Sequence, residues 1–309
     1  MAANKKANAI KEAITLTASL PDYAGYADYF LQTEAKFRVQ NTYSENVTVA
    51  LKVWDDHNLI LPYETSVEVP FESAAEVSAG GLFSPLVLAE NNELFVSTVH
   101  FSASIDKNEI AAGEKQITVL PFDFWEGTSG NAERVAAFVR PRISDCARIL
   151  ENAGKRLKKW DETADLYGYA GADKNAVRKI FAAVFSALKQ YEIEEDPALD
   201  LSKPCRAAGE VSALKSRRAT SFELAILCAA ALENARLSPV IAIGENEASV
   251  GVWLLDTCFA DTVTDDRETV EKYASEGINS LAFIDVKDLF EGSNATFTPS
   301  QSHFMQKLR

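Results

Sequence analysis

The sequence predicts an α+β protein: an antiparallel β-sandwich over residues 1–122, then a mixed helix-and-strand domain over 123–309. Three observations lead there. Apolar side chains alternate with a period of two before residue 122, the signature of half-buried strands. Beyond residue 130 the apolar period becomes helical. Residues 221–235 then form a helix that is apolar on nearly every side, and strand-like runs follow it. A helix with no polar face is one that other elements surround.

Each element has its own warrant. Ala35 to Gln40 places Phe37 and Val39 on one face, and Asn46 to Trp54 does the same with Val47, Val49, Leu51 and Val53. Thr65 to Phe71 offers Val67, Val69 and Phe71. Leu94 to Ala103 sets Leu94, Val96, Thr98 and His100 against Phe95, Val99 and Phe101 on the opposite face. Glu114 to Leu120 adds a further strand. Ser44-Glu45-Asn46, Asp55 to Asn58, Asn91-Asn92 and Ala112-Gly113 are the turn signals between them. Short strands at such spacing, with one apolar face each, suggest a sandwich.

In the second domain Glu133 to Val139 is helical and Pro141 ends it. Ile143 to Lys158 resumes as a helix. Residues 174–190 carry Val177, Ile180, Phe181, Val184, Phe185 and Leu188 at helical spacing. Residues 195–217 read as a long connection and 265–275 as a charged surface helix. Strands are expected at Pro239 to Ile243, Ala248 to Leu255 and Leu281 to Val286.

Composition narrows the function. Forty-five acidic residues against 31 basic ones give a net charge of −14, which repels nucleic-acid phosphates and argues against a nucleic-acid partner for this region. The basic cluster Lys215, Arg217 and Arg218 reads as solvated surface or local charge balance. Cys146, Cys205, Cys228 and Cys258 form no CxxC pair, and His57, His100 and His303 are scattered, so no metal site is expected. Cys228 reads as a small core residue and His100 as a structural one. No cofactor motif occurs, and no phosphate-binding G-x-x-x-x-G-K-[ST] loop. Lys11 and Glu12 interrupt the first apolar stretch, so no signal peptide is expected. With no long apolar run either, a cytoplasmic location without membrane attachment is expected.

The buried helix opens with Ala219-Thr220-Ser221-Phe222-Glu223. A nucleophile in a helix's first turn gains from the dipole and from free backbone amides that can receive an oxyanion. A neighbouring imidazole would then take its proton and a carboxylate would orient that imidazole. Ser221 can stand in the first position, Glu247 in the second and Asp285, at the end of Leu-Ala-Phe-Ile-Asp, in the third. Glu247 is a poor base near neutral pH. Should Glu247 and Asp285 approach each other, like charges would raise one pKa or recruit a cation; a neighbouring Arg or Lys, or divergence into water, would resolve the conflict. The structural alternative is strong: Ser and Thr are preferred helix caps, and Thr220 with Glu223 matches the S/T-x-x-E capping box. For Asp285 the corresponding alternative is a strand-end carboxylate that binds turn amides.

Four motifs carry a resemblance. They are Leu120-Pro121-Phe122-Asp123-Phe124-Trp125-Glu126-Gly127, Ala136-Ala137-Phe138-Val139-Arg140-Pro141, Ala219-Thr220-Ser221-Phe222-Glu223-Leu224-Ala225, and Glu247-Ala248-Ser249-Val250-Gly251-Val252-Trp253-Leu254. In order and spacing they resemble the N-terminal region of large bacterial helicase-type proteins. There an immunoglobulin-like sandwich precedes a transglutaminase-like (papain-like) domain. The family cysteine falls at Ser221 and its histidine at Glu247; the later acid is kept as Asp285. The resemblance therefore implies a degenerate triad. The expected function is a catalytically inactive module for protein or peptide binding, or scaffolding, with a helicase part beyond residue 309. The alternatives are a weak serine-dependent hydrolase or acyltransferase using Ser221, Glu247 and Asp285, and a structural spacer with a filled cleft at Ser221.

Overall fold

In the computed structural model, which describes residues 9–31, 34–128, 132–166, 168–207 and 213–308, the chain divides into two units, Met1–Phe124 and Trp125–Arg309. The fold is mixed α+β, with several antiparallel sheets.

In the first unit, period-two alternation builds two sheets. One has three antiparallel strands in the order β1 (Ile14–Ser19), β3 (Ala35–Asn41), β6 (Ser73–Ala79). The other has five, in the order β2 (Tyr23–Ala24), β8 (Asn108–Val119), β7 (Phe95–Ile105), β4 (Val47–Asp55), β5 (Tyr63–Val69). All neighbours are antiparallel except β2 and β8, which run parallel. Ala35 and Phe37 of β3 share one core with Leu51 and Val53 of β4, Val99 and Phe101 of β7, and Ile117 and Val119 of β8. The inner faces of the two sheets therefore meet, as burial of each strand's apolar face demands. Short helices lie in this unit as well, among them α1 (Tyr26–Leu31) and α2 (Pro85–Glu90).

Two sequence expectations fail here for identifiable reasons. Ala112-Gly113 is not a turn but lies inside β8. The chain reverses instead at Asp106-Lys107, both at positive φ, as a tight hairpin requires. Gly113 faces Phe101, and a Cβ at Gly113 would lie 2.6 Å from that ring. The glycine makes room for an aromatic neighbour across the ladder. Phe71 does not join a buried face: β5 ends at Val69, and Phe71 is 48% exposed in the following turn. His100 stacks on Trp54 and lies 3.4 Å from Asp56 and 3.7 Å from Glu114, in keeping with a structural role.

Early in the second unit a 3₁₀ helix, Ala132–Phe138, stops before Pro141. Helix α3 (Ser144–Trp160) buries Cys146, Ile149, Ala153 and Leu157 along one stripe. Helix α4 (Lys174–Lys189) is capped by Asp173 and buries Val177, Ile180, Phe181, Val184, Phe185 and Leu188. Helix α5 (Ser221–Asn234) is the centre of the unit. Its residues 221–232 are all buried, and it packs against α3, α4 and the sheet. That sheet is antiparallel, in the order β9 (Pro239–Ile243), β10 (Ala248–Trp253), β11 (Leu281–Ile284). Gly251 of β10 pairs with Phe283 of β11, where a Cβ would come within 2.5 Å of the ring. Helices α6 (Arg267–Ala274) and α7 (Phe297–Leu308) lie beside β11. Glu194–Glu195 pairs in parallel with Arg218–Ala219. Arg218 meets Asp196 and Glu194, and Arg217 meets Glu192, so the two arginines of the basic cluster are balanced locally. No helix among the described residues is long and apolar enough to cross a membrane.

Candidate functional site

The start of α5 is built as a closed cap. Thr220 sits in extended geometry, and its Oγ1 accepts the Glu223 N–H at 3.2 Å. The Glu223 carboxylate accepts the Thr220 N–H at 2.9 Å, completing the reciprocal capping box. Arg206 Nε donates to the other carboxylate oxygen at 3.1 Å. Trp125 lies against Phe222 with ring centroids 5.0 Å apart. Gly127, at φ +91°, lets the chain pass so close to Lys203 that a Cβ would lie 2.6 Å from its carbonyl oxygen. Two positions of the first sequence motif thus have packing reasons.

Ser221 occupies the first turn and is only 4% exposed. Its Oγ accepts the backbone N–H of Ala248 at 3.3 Å, which ties α5 to the first residue of β10. Among the described residues no imidazole, amine or carboxylate is hydrogen-bonded to it. Proton transfer from a hydroxyl needs a base hydrogen-bonded to it, directly or through one water.

Glu247 and Asp285 are brought together, and a cation joins them. Lys307 Nζ on α7 lies 2.7 Å from Asp285 Oδ2 and 3.0 Å from Glu247 Oε2. Lys287 Nζ stands 3.0 Å from the same Glu247 oxygen. Burial alone would raise the Glu247 pKa, but the hydrogen bonds and charges of Lys307 and Lys287 outweigh it and hold the carboxyl below its ordinary value. Burial likewise works against the Lys307 charge, yet Asp285 and Glu247 carry its pKa above the ordinary lysine range. Near neutral pH Glu247 is therefore a weaker base than a free glutamate, and Lys307 is a fixed cation. Asp285 also caps the 3₁₀ turn Val286–Leu289 by accepting the Lys287 N–H at 3.0 Å. Its own N–H meets the buried Ser300 Oγ at 3.1 Å.

Helix α7 is held by a continuous face. Ser300 binds Asp285, His303 Nδ1 lies 2.8 Å from Asp288, Phe304 stacks on Phe283 at 4.3 Å, and Lys307 spans the two carboxylates. Lys287 and Lys307 are the residues the sequence reading did not name. A neighbouring Arg or Lys was one of the outcomes that two meeting carboxylates allowed; its identity was not legible, because Lys307 lies 60 positions from Glu247.

The three enclosed cysteines are poorly ionised. Burial, then the Glu223 and Asp200 charges, push Cys205 up to about 12. Burial and Asp145 do the same for Cys146, to about 12. Cys228, wholly enclosed, is raised as well. All four cysteines are free thiols, and Cys258 alone is exposed. No group of three or more potential metal ligands occurs among the described residues.

Comparison with known proteins adds little. No family model and no curated protein matches the chain. Among solved structures, a CARDB domain from Pyrococcus furiosus in complex with di-metal ions is 13% identical over 35% of this chain and 87% of that one, at a TM-score of 0.26. A FixG-related protein from Vibrio parahaemolyticus is 11% identical over 35% of this chain and 96% of that one, at 0.25. An exo-chitosanase from Amycolatopsis orientalis is 11% identical over 71% of this chain and 31% of that one, at 0.26. Similarity at these scores carries no functional argument.

Proposed function

We propose that this chain is a catalytically silent, transglutaminase-like binding module, preceded by an immunoglobulin-like sandwich and working within a larger helicase-type protein. One observation carries the loss of catalysis: Ser221 is hydrogen-bonded to neither Glu247 nor Asp285, which Lys307 bridges instead. Ser221 is spent on a backbone N–H, while Glu247 is neutralised by two lysines. Proton transfer from Ser221 to Glu247 would run toward a carboxylate whose basicity those lysines reduce. A scaffold kept while its chemistry is lost suits recognition of a protein or peptide. The four sequence motifs support the family reading, and the closed cap at α5 supports a structural role for Thr220 and Glu223.

The purified chain is expected to show no turnover of peptide, thioester or amine substrates and no labelling by a fluorophosphonate probe. Ser221→Ala should leave that background unchanged. Turnover that vanishes in Ser221→Ala would establish the serine-dependent hydrolase or acyltransferase instead.

A further inference from the structure

On the face of α7 turned away from Lys307, a cleft of about 1050 Å³ opens between α6 and α7, with β11 at its floor. It holds none of Ser221, Glu247 and Asp285. Its size is at the upper end of small-molecule pockets and is ample for several residues of a peptide.

The charges lining it are unusual. Arg178 of α4 reaches it with its guanidinium held by two neutral amides: Nη1 donates to Gln301 Oε1 at 2.9 Å and Nη2 donates to Asn279 Oδ1. No carboxylate among the described residues lies within ion-pair distance of it. Burial is the cause that lowers its pKa, with no neighbouring charge to offset it. Partly buried cations are normally paired. Here the two amide oxygens fix the plane of the fork and leave further N–H donors for a planar anion, the geometry that favours a carboxylate.

The opposite wall has the other sign. Glu268, Glu271 and Glu276 line the cleft along and just beyond α6, against the single Lys272. Three carboxylates repel a polyphosphate or any multiply negative ligand. They suit a ligand whose second charge is positive.

We propose that this cleft binds the C-terminal end of a peptide, its free carboxylate on Arg178 and a basic side chain near it on the acidic α6 wall. The inference stands apart from the reading of Ser221. It would hold for an enzyme as well as for a silent module, and it needs no contact with the triad positions.

Fluorescence anisotropy on the full chain tests it, with a fluorescein-labelled peptide that ends Ala-Lys-Ala-Leu and has a free carboxylate. Saturable binding with a Kd of about 1–100 μM is expected, a range normal for short peptide motifs. Amidation of the C-terminus should weaken it about tenfold or more, since one charge-assisted pair is lost. Norleucine in place of the peptide's lysine should weaken it as well. Arg178→Lys keeps the charge but loses the fork and should weaken binding about tenfold; thermal unfolding checks that this variant is folded. The double variant Glu268→Gln, Glu276→Gln removes only exposed charges. It should weaken the lysine peptide and leave the norleucine peptide unaffected. Ser221→Ala should change nothing, so failure here is separable from failure of the proposed function. Equal affinity for the acid and amide peptides would overturn the proposal, as would no binding at millimolar protein. So would displacement of the peptide by equimolar free lysine, which would make the site one for an amino acid.

Discussion

Replacing Trp125 with alanine is expected to lower the unfolding free energy of the second unit by about 3–5 kcal/mol, the range for truncating a large buried aromatic. The side chain is 1% exposed and lies on Phe222, in the first turn of the central helix. The void would open at the base of α5, where the capping box and the Ser221 contact are anchored, so little can collapse to fill it. Against a typical domain stability of about 5–15 kcal/mol, such a loss is a large share. Trp125→Phe is the informative partner. The indole N–H finds no acceptor among the described residues, so phenylalanine discards a donor that contributes no bond while keeping most of the packing. Its cost should stay below about 1.5 kcal/mol. Urea denaturation followed by far-UV circular dichroism measures both. An alanine variant within about 1 kcal/mol of the parent would mean that the site repacks.

Replacing Lys307 with methionine should cost about 1–3 kcal/mol near neutral pH, the penalty for a buried acceptor that loses its partner. Asp285 is the group at risk, with a side chain only 7% exposed, while Lys307 is about one-third exposed. Solvent screening on the lysine side holds the figure below that of a fully buried pair. The pH dependence has a fixed sign. Glu247 is held below its ordinary 4.5, so its contribution is present above that value and is lost as pH falls through the depressed pKa. Lys307 is raised above its ordinary 10.5, so its contribution is complete below that value and is lost as pH rises through the raised pKa. The gap between parent and variant should therefore be widest between about pH 5 and 10 and close at both ends. Denaturation midpoints taken within and on both sides of that range measure it; a gap that grows toward acid pH would contradict the bridge.

Much of this structure is readable where a local rule and a global need coincide. The inward residues of β3 and β4, the apolar stripe of α4 and the all-round burial of α5 follow from period alone. The cap at Thr220 follows from four consecutive residues. Strand β6, Ser-Ala-Ala-Glu-Val-Ser-Ala, was missed because its small residues alternate too weakly to register, although it closes the three-stranded sheet against β3. Gly113 misled because glycine marks a turn and a close approach with the same letter; only the position of Phe101 tells which. At the candidate site the sequence left open whether the two acids would meet, and whether a raised pKa, a cation or divergence into water would follow; long-range folding supplied a cation from α7. By sequence Ser221 suits both a nucleophile and a cap-region residue. Its bond to Ala248, a contact between helix and strand, lies beyond any reading of adjacent residues.

The placement of the thiols has a practical consequence for watching this molecule come apart. All four cysteines lie in the second unit and none in the first. Cys258 is open to solvent, while Cys146, Cys205 and Cys228 are enclosed and poorly ionised. A maleimide dye will therefore mark Cys258 at once and reach the others only as the helical core opens. The slow phase of labelling becomes a clock for the opening of that unit, since every thiol lies in it.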